Sequence, residues 1–527
     1  MASDSKGLEE GTSLPVYDDA KSMPGEMEGV DAETHRGLRS RHIQFLALGG
    51  CIGTGLFVGS GQTLSTVGPA PLLMGYIAMS TVVYFVMNVL GEMTTYLPVR
   101  GVSVPYLINR FTEPSLGFAV GYNYWYSFSM LLASEVTAAG LIVEYWPSSV
   151  SVGVWIAIVL VVILFLNIVA VSWYGEAEFW FASLKIIAII GLIILGVVLF
   201  FGGGPNHDRL GFRYWQHPGA FKEPYLVSNI NTSRFLAFWT ALIKSGFSFI
   251  FSPELITTAA GEAIAPRRNI PKATNRFIYR LFAFYVLGSL VIGVTVAYND
   301  KHLLQGVASG GSGAGASPFV IGIQNAGISG LNHVINAAIL ISAWSAGNSW
   351  VYAGSRTLYS LAREGQAPKF FTRCTKNGVP YAAVLVTWAI GLLSFLNLSS
   401  SGANVFYWFT NITTVGGFIS WVLVGVAYLP WGTYYFMLIV GVLAITNGYT
   451  VFFPGAFTAS DFLVSYIVFA IFFALYFGHK IWYRTPWMVP AADIDIFSGK
   501  EEIDRLCEFD EERVPRNWLE RVWWWIA

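Results

Sequence analysis

Apolar stretches recur along this chain from Phe45 nearly to Tyr483, each about as long as the ~20 residues a helix needs to cross a bilayer. Twelve can be delimited: about 43–66, 71–97, 117–146, 152–172, 180–202, 236–262, 278–298, 333–360, 380–398, 404–429, 432–453 and 460–483. The composition agrees, since 54% of residues are hydrophobic and only 12% are charged, about half the charge of a soluble domain. Lipid is the solvent for most of this chain. The expected fold class is an all-α polytopic membrane protein of about twelve transmembrane helices. Residues 1–42 are polar and read as a disordered tail; they lack the apolar core of a cleavable signal peptide. Residues 43–483 form the membrane domain, and 484–527 a charged C-terminal tail ending in Trp523-Trp524-Trp525.

Orientation follows from basic residues flanking the spans. Arg36, Arg39 and Arg41 precede span one, and Arg100 and Arg110 lie between spans two and three. Arg267, Arg268, Lys272 and Arg276 follow span six; Arg363, Lys369, Arg373 and Lys376 follow span eight; Arg484 follows span twelve. Twelve crossings put all of these on one side, so both termini are expected in the cytoplasm. The Asn231-Thr232-Ser233 sequon then lies outside as a candidate glycosylation site.

Span one contains Gly49-Gly50-Cys51-Ile52-Gly53-Thr54-Gly55-Leu56-Phe57. Each glycine costs a helix about 1 kcal/mol relative to alanine, so four in seven residues predict a helix broken at mid-membrane. Such a break frees backbone N–H groups for a carboxylate and C=O groups for an ammonium or cation, and is tolerated where it lines a cavity. A zwitterionic amino acid presents both charges. Span six supplies a second break at Phe249-Ile250-Phe251-Ser252-Pro253-Glu254, because proline removes a backbone donor. Interrupted spans five apart fit an inverted five-span repeat in which spans one and six face each other. The candidate substrate site is therefore Ile52, Gly53, Thr54 and Gly55 opposite Phe249, Ile250, Phe251 and Ser252. Ionisable residues inside spans each need a reason, since each costs roughly 2.5–3.5 kcal/mol at the helix centre. Lys185 in span five, about a turn and a half in, either snorkels or carries protons. Glu254 and Glu135 are further candidates for proton handling or substrate contact, and Lys244 for a vestibule. Glu92 and Glu144 fall near span ends and read as interfacial.

Little else carries chemistry. Cys51, Cys374 and Cys507 are scattered and suggest neither disulfides nor a metal site; there is no Walker motif, and no cofactor is expected. A net charge of -1 gives no reason to expect a nucleic-acid partner.

Several motifs together resemble the fungal (yeast-type) amino acid permeases of the amino acid–polyamine–organocation superfamily. They are Arg41-His42 with the glycine run of span one, Gly91-Glu92-Met93-Thr94-Thr95-Tyr96-Leu97-Pro98, and Asp208-Arg209-Leu210-Gly211-Phe212-Arg213-Tyr214-Trp215. Gly261-Glu262-Ala263 followed by Pro266-Arg267-Arg268-Asn269-Ile270-Pro271-Lys272-Ala273, and Asp493-Ile494-Asp495-Ile496-Phe497-Ser498-Gly499-Lys500, complete the set. The resemblance implies a plasma-membrane, proton-coupled amino acid symporter with two inverted five-helix repeats plus two extra helices. It implies that Gly53, Thr54 and Gly55 hold the amino acid backbone, and it maps the family's span-five lysine to Lys185 and its span-six acid to Glu254. Ser252-Pro253 stands where a Gly-Thr pair is more usual.

The expected function is amino acid uptake with protons by alternating access; a permease-like nutrient sensor with little flux is the alternative, and an enzyme is not expected. Lys244 would favour an acidic substrate and Glu135 a cationic one, so no amino acid is singled out. Lys6 and Lys21 are candidate attachment points for ubiquitin-ligase machinery. Between spans ten and eleven, Leu429-Pro430-Trp431-Gly432 replaces the family's hydrophilic basic loop, and about 25–30 residues are expected to be missing there.

Overall fold

A computed structural model of the chain describes residues 37–98, 103–308, 317–399, 402–490, 492, 494–498, 500–508 and 517–518. Lys6, Lys21, Arg36 and Arg100 lie outside these residues. Among the described residues all regular structure is helical, and pairing between extended segments is limited to isolated bridges such as Leu38 with Ala263.

Among the described residues, helical segments correspond to each of the twelve expected spans. Span one is divided into Ser40–Cys51, a π-turn at Gly55–Gly59 and Ser60–Val67. Spans two to five are Pro69–Tyr96, Pro114–Val143, Val152–Ile168 and Val171–Phe200. Span six is divided into Ile230–Phe249 and Ser252–Ala260, and span seven is Pro266–Thr295. Spans eight to twelve are Leu331–Arg363, Tyr381–Leu398, Gly402–Ala427, Trp431–Thr446 and Ala459–Tyr483. Their starts follow local chemistry. Pro69, Pro114 and Pro266 open three of them, where a missing N–H costs nothing. Ser151, Asn229 and Thr458 cap three more by accepting a backbone N–H. Asn231 is exposed in the first turn of span six, while Ser233 of the same sequon is buried.

Eight of the spans are long and apolar enough to cross a membrane by themselves. Span eight is long but polar. Its Asn336, Ser342, Ser345, Asn348, Ser349, Ser355 and Arg356 are all buried against protein and never meet lipid. Two span starts differ most from the hydropathy reading. Span seven begins at Pro266 rather than near 278, and span five at Val171 rather than near 180; in each case charged residues in the first turns lower the local hydropathy. Span five shows why they are tolerated. Gly175, Glu178, Ala182, Lys185, Ile189, Leu192 and Gly196 form one buried stripe at helical spacing, while Trp173, Trp180, Ile187, Ile194 and Phe201 form an exposed apolar one.

Packing joins helices five apart in the chain. Span one meets the second half of span six, span two packs along span seven, and span three packs most extensively on span eight. A helix five crossings later runs in the opposite direction, so this pairing is what two inverted five-helix repeats require. Spans eleven and twelve lie outside the repeats, against spans two, three and ten.

The tail after span twelve is pinned to the end of the bundle nearest the N-terminus. Arg110 pairs with Asp495 at 3.1 Å and donates to the Ser498 carbonyl at 3.0 Å, and Arg267 pairs with Asp504. Hydrogen bonds from Ser498, then the Phe497 N–H and the Arg110 charge, hold the Asp495 carboxyl well below the usual carboxylate range.

Candidate functional site

The two breaks are built by different local means. Span one bends at Ile52 and Gly53 and resumes as the π-turn. At span six, Ile250 takes an extended conformation and Phe251 a left-handed one, with φ 61°, before Ser252 starts the second half. The backbone carbonyls freed by the breaks are taken up by side chains, as burial demands. Lys185 Nζ donates to the Gly49 carbonyl, and Ser342 Oγ donates to the Ile52 carbonyl at 2.6 Å. Tyr285 OH donates to the Ser248 carbonyl at 2.8 Å. Pro253 has no N–H to offer the Phe249 carbonyl, and the Ser252 hydroxyl bonds it instead. The unusual Ser252-Pro253 pair is therefore self-consistent: the proline orphans a carbonyl and the preceding serine satisfies it.

Glycine is required where the two spans touch. A Cβ at Gly55 would lie 2.8 Å from both Ser248 Cα and Ser248 Oγ, so spans one and six meet backbone to backbone. A Cβ at Gly53 would lie 3.1 Å from Glu135 Oε1 and 3.7 Å from Ala346 Cβ. The predicted residues thus converge, with Ile52, Gly53, Thr54 and Gly55 on one side and Phe249, Ile250, Phe251 and Ser252 on the other, all buried. Aromatic rings floor the region. Phe249 stacks on Tyr285 at 4.4 Å, and Phe251 packs on Phe128 at 5.0 Å and Tyr124 at 5.4 Å. The Thr54 hydroxyl is buried beside the Glu135 carboxylate.

The ionisable candidates divide into two groups. Lys185 lies fourteen residues into a 30-residue helix and is 1% exposed, about 21 Å from the helix start. It is at mid-span, which removes the snorkelling reading. Its ammonium acts electrostatically on Glu135 of span three. Glu254 stands apart, its Oε1 accepting from Tyr124 OH at 3.1 Å and Trp421 Nε1 at 2.8 Å, so it bridges spans six, three and ten. Lys244 is half-buried in the first half of span six. Glu92 and Glu144 are exposed at span ends, Glu92 accepting from Tyr428 OH at 2.6 Å.

Two features escaped the sequence reading. Glu178 precedes the start near 180 that hydropathy gives span five, yet it is buried and accepts from Ser345 Oγ at 2.7 Å. Glu262 and Arg356 form a buried ion pair at 3.0 Å, with Tyr352 OH donating to the second Glu262 oxygen at 2.8 Å. This pair ties the end of span six to span eight. The only sequence signals were a glutamate in a Gly-Glu-Ala run and an arginine deep in a polar span.

A helical bundle with two facing interrupted spans and buried ionisable groups beside them is the architecture of a membrane transporter. The chain belongs to the amino acid permease family, whose model matches residues 42–488. It is similar to a proline-specific permease of Emericella nidulans, 74% identical over 546 aligned positions that cover 99% of each chain. A probable proline-specific permease of Schizosaccharomyces pombe is 52% identical, covering 91% of this chain and 90% of its own. A proline-specific permease of Saccharomyces cerevisiae is 48% identical, covering 92% and 82%. The first alignment has 19 more positions than this chain's 527 residues, so the relative has at least that many residues without a counterpart here. The chain is an integral membrane amino acid transporter.

Proposed function

We propose that this chain carries proline together with a proton across the plasma membrane by alternating access, with both termini in the cytoplasm. Its similarity to proline-specific permeases over nearly its whole length is the observation that carries the choice of substrate. The geometry supports it independently. Four carbonyls freed by the breaks already accept from Lys185, Ser342, Tyr285 and Ser252, leaving fewer acceptors for a substrate ammonium. Proline's secondary ammonium has two N–H donors where other amino acids have three. Its carboxylate suits the N–H end of the second half of span one at Thr54 and Gly55. Its ring is apolar, as are Phe249, Ile250 and Phe251. Residues 43–483 would form the transporting domain, with tails at 1–42 and 484–527.

Lys185 and Glu135 are the proton-coupling groups best placed to sense substrate, because Glu135 and Lys185 both reach span one at its break; Glu254 would act from its separate pocket. A membrane potential contributes about 2.3 kcal/mol per charge per 100 mV, and each pH unit about 1.4 kcal/mol. These suffice to drive accumulation. The test is uptake of radiolabelled proline in a permease-deficient cell, with competition by each of the twenty amino acids. Proline alone is expected to compete strongly; equal competition by arginine or glutamate would overturn the substrate assignment.

A further inference from the structure

Span one brings three ionisable side chains together along a single turn, and one of them has no role in the reading above. Gly49 lies in the last turn of the first half of span one, and Gly53 in the bend that follows it. Glu135 Oε1 fills the space a side chain at Gly53 would need. At Gly49 the crowding is tighter: a Cβ there would lie 2.1 Å from Glu178 Oε1 and 3.3 Å from Ala182 Cβ. The same residue's carbonyl accepts from Lys185 Nζ. Glu178 and Lys185 therefore meet at Gly49, two helical turns apart on the buried stripe of span five. The Lys185 ammonium acts electrostatically on both Glu135 and Glu178. Glu178 Oε2 and Glu135 Oε2 are buried with no donor at full hydrogen-bonding geometry, Ser349 and Asn348 being the polar neighbours of Glu178 and Thr54 that of Glu135. Beyond Glu178, towards the end where the chain enters span one, Tyr174 stacks on Tyr352 at 4.4 Å, and its hydroxyl is buried beside Ser349.

A buried carboxylate with an open oxygen is expensive to maintain for packing alone. We propose that Glu178 is the proton acceptor on the inner side of Lys185, completing a relay from Glu135 through Lys185 to Glu178 past Gly53 and Gly49 of span one. This rests on the proton-symport reading. In the step, an N–H bond of the Lys185 ammonium breaks and an O–H bond forms on the Glu178 carboxylate, leaving a neutral amine. The amine takes the proton of Glu135, whose O–H bond breaks. Glu178 then releases its proton to water when the face towards the N-terminus opens. Glu135 regains its proton from water on the opposite side when the other face opens, so one proton crosses per cycle and every group returns to its starting state. Gly49 and Gly53 are glycines, on this account, because each makes room for a carboxylate.

The experiment uses the full chain in proteoliposomes, with radiolabelled proline and an internal pH dye. For Glu178→Gln, net uptake driven by a pH gradient and the accompanying proton entry are expected to fall about tenfold or more. Proline exchange without a gradient, and the KM for proline, are expected to change by less than about threefold. Glu178→Asp should restore part of the proton entry. Gly49→Ala should reproduce the Gln phenotype, because its methyl group displaces the Glu178 carboxylate. Undiminished proton entry in Glu178→Gln would overturn the proposal and leave the symport reading standing. Equal loss of exchange and net uptake in both Gln and Asp variants would also overturn it, marking the carboxylate as a packing element. Absence of proline-driven proton entry in the unmodified protein would be a failure of the symport reading itself, and this proposal would fall with it.

Discussion

Gly53 and Gly55 have backbone angles that any residue can adopt, so substitution at either tests space rather than conformation. The obstacles differ in kind. At Gly55 the nearest atom to a new methyl group is the Ser248 backbone at 2.8 Å, and spans one and six would have to separate to admit it. At Gly53 the nearest atom is a carboxylate oxygen at 3.1 Å, at the end of a side chain that can turn aside. Overpacking of a tight interface costs about 1–3 kcal/mol, and about 1.4 kcal/mol is a factor of ten. If that strain falls on the closed arrangement of the two spans, Gly55→Ala should lower proline uptake by roughly 5- to 150-fold. Gly53→Ala should lower it by less than about fivefold, because only Glu135 must move. Gly53→Val, with a branched side chain against Glu135 and Ala346, should abolish uptake. The assay is initial-rate uptake normalised to surface protein in a permease-deficient cell. Near-normal uptake at near-normal KM in Gly55→Ala, or a Gly53→Ala variant weaker than Gly55→Ala, would refute this account of the break.

Two further outcomes follow from buried charges. Lys185→Met removes both the titratable amine and the donor to the Gly49 carbonyl, so substrate-induced proton entry should disappear; persistence of uptake and proton entry together would move coupling to Glu254. Removing one partner of a buried ion pair costs about 3–5 kcal/mol, so Glu262→Met or Arg356→Met alone should sharply lower thermal stability in detergent. The double variant should recover most of the loss, and failure of the single variants to destabilise would show that the pair contributes no net structural constraint.

The spans themselves were legible because lipid imposes one rule on the whole chain, and apolar length is enough to read it. The breaks were legible for a local reason: glycine density and Pro253 act within a turn of where they stand. What the sequence concealed were consequences of packing between distant segments. Glu178 becomes meaningful only beside Gly49 and Ser345, 129 residues before it and 167 after. Charged residues in the first turns of span five made that helix read as starting nine residues late, and the same error placed Lys185 near an interface instead of at mid-span. Glu262 and Arg356 are 94 residues apart, and hydropathy has no term for a pair of charges that cancel each other. Span eight shows the converse: its polarity looks costly until the structure surrounds it with protein.

The connection between spans ten and eleven is where local sequence and overall architecture conflict. Span ten ends at Ala427 and span eleven begins at Trp431, with Thr433 N–H donating to the Pro430 carbonyl at 2.9 Å across the turn. A hairpin this tight leaves span eleven only 16 residues, about 24 Å of helix where a bilayer core needs about 30 Å. Trp431, its first residue, is 92% exposed. Gly432 is pressed against span two so closely that a Cβ would overlap the Phe85 ring at 2.2 Å. Each feature is what results when the chain must turn before span eleven has reached its natural start. An excised loop at this turn would account for residues that the Emericella nidulans relative has without a counterpart in this chain, at least 19 over the whole alignment. About 25–30 residues are therefore expected to be absent from this turn, through a mis-assigned intron or an alternative transcript, and a chain lacking them should transport poorly. Sequencing the mature transcript decides whether the segment exists. Comparing proline uptake by this chain and by one with the loop restored, at matched surface levels, decides whether it matters; a transcript with the short turn and undiminished uptake would show that sixteen residues are enough for span eleven.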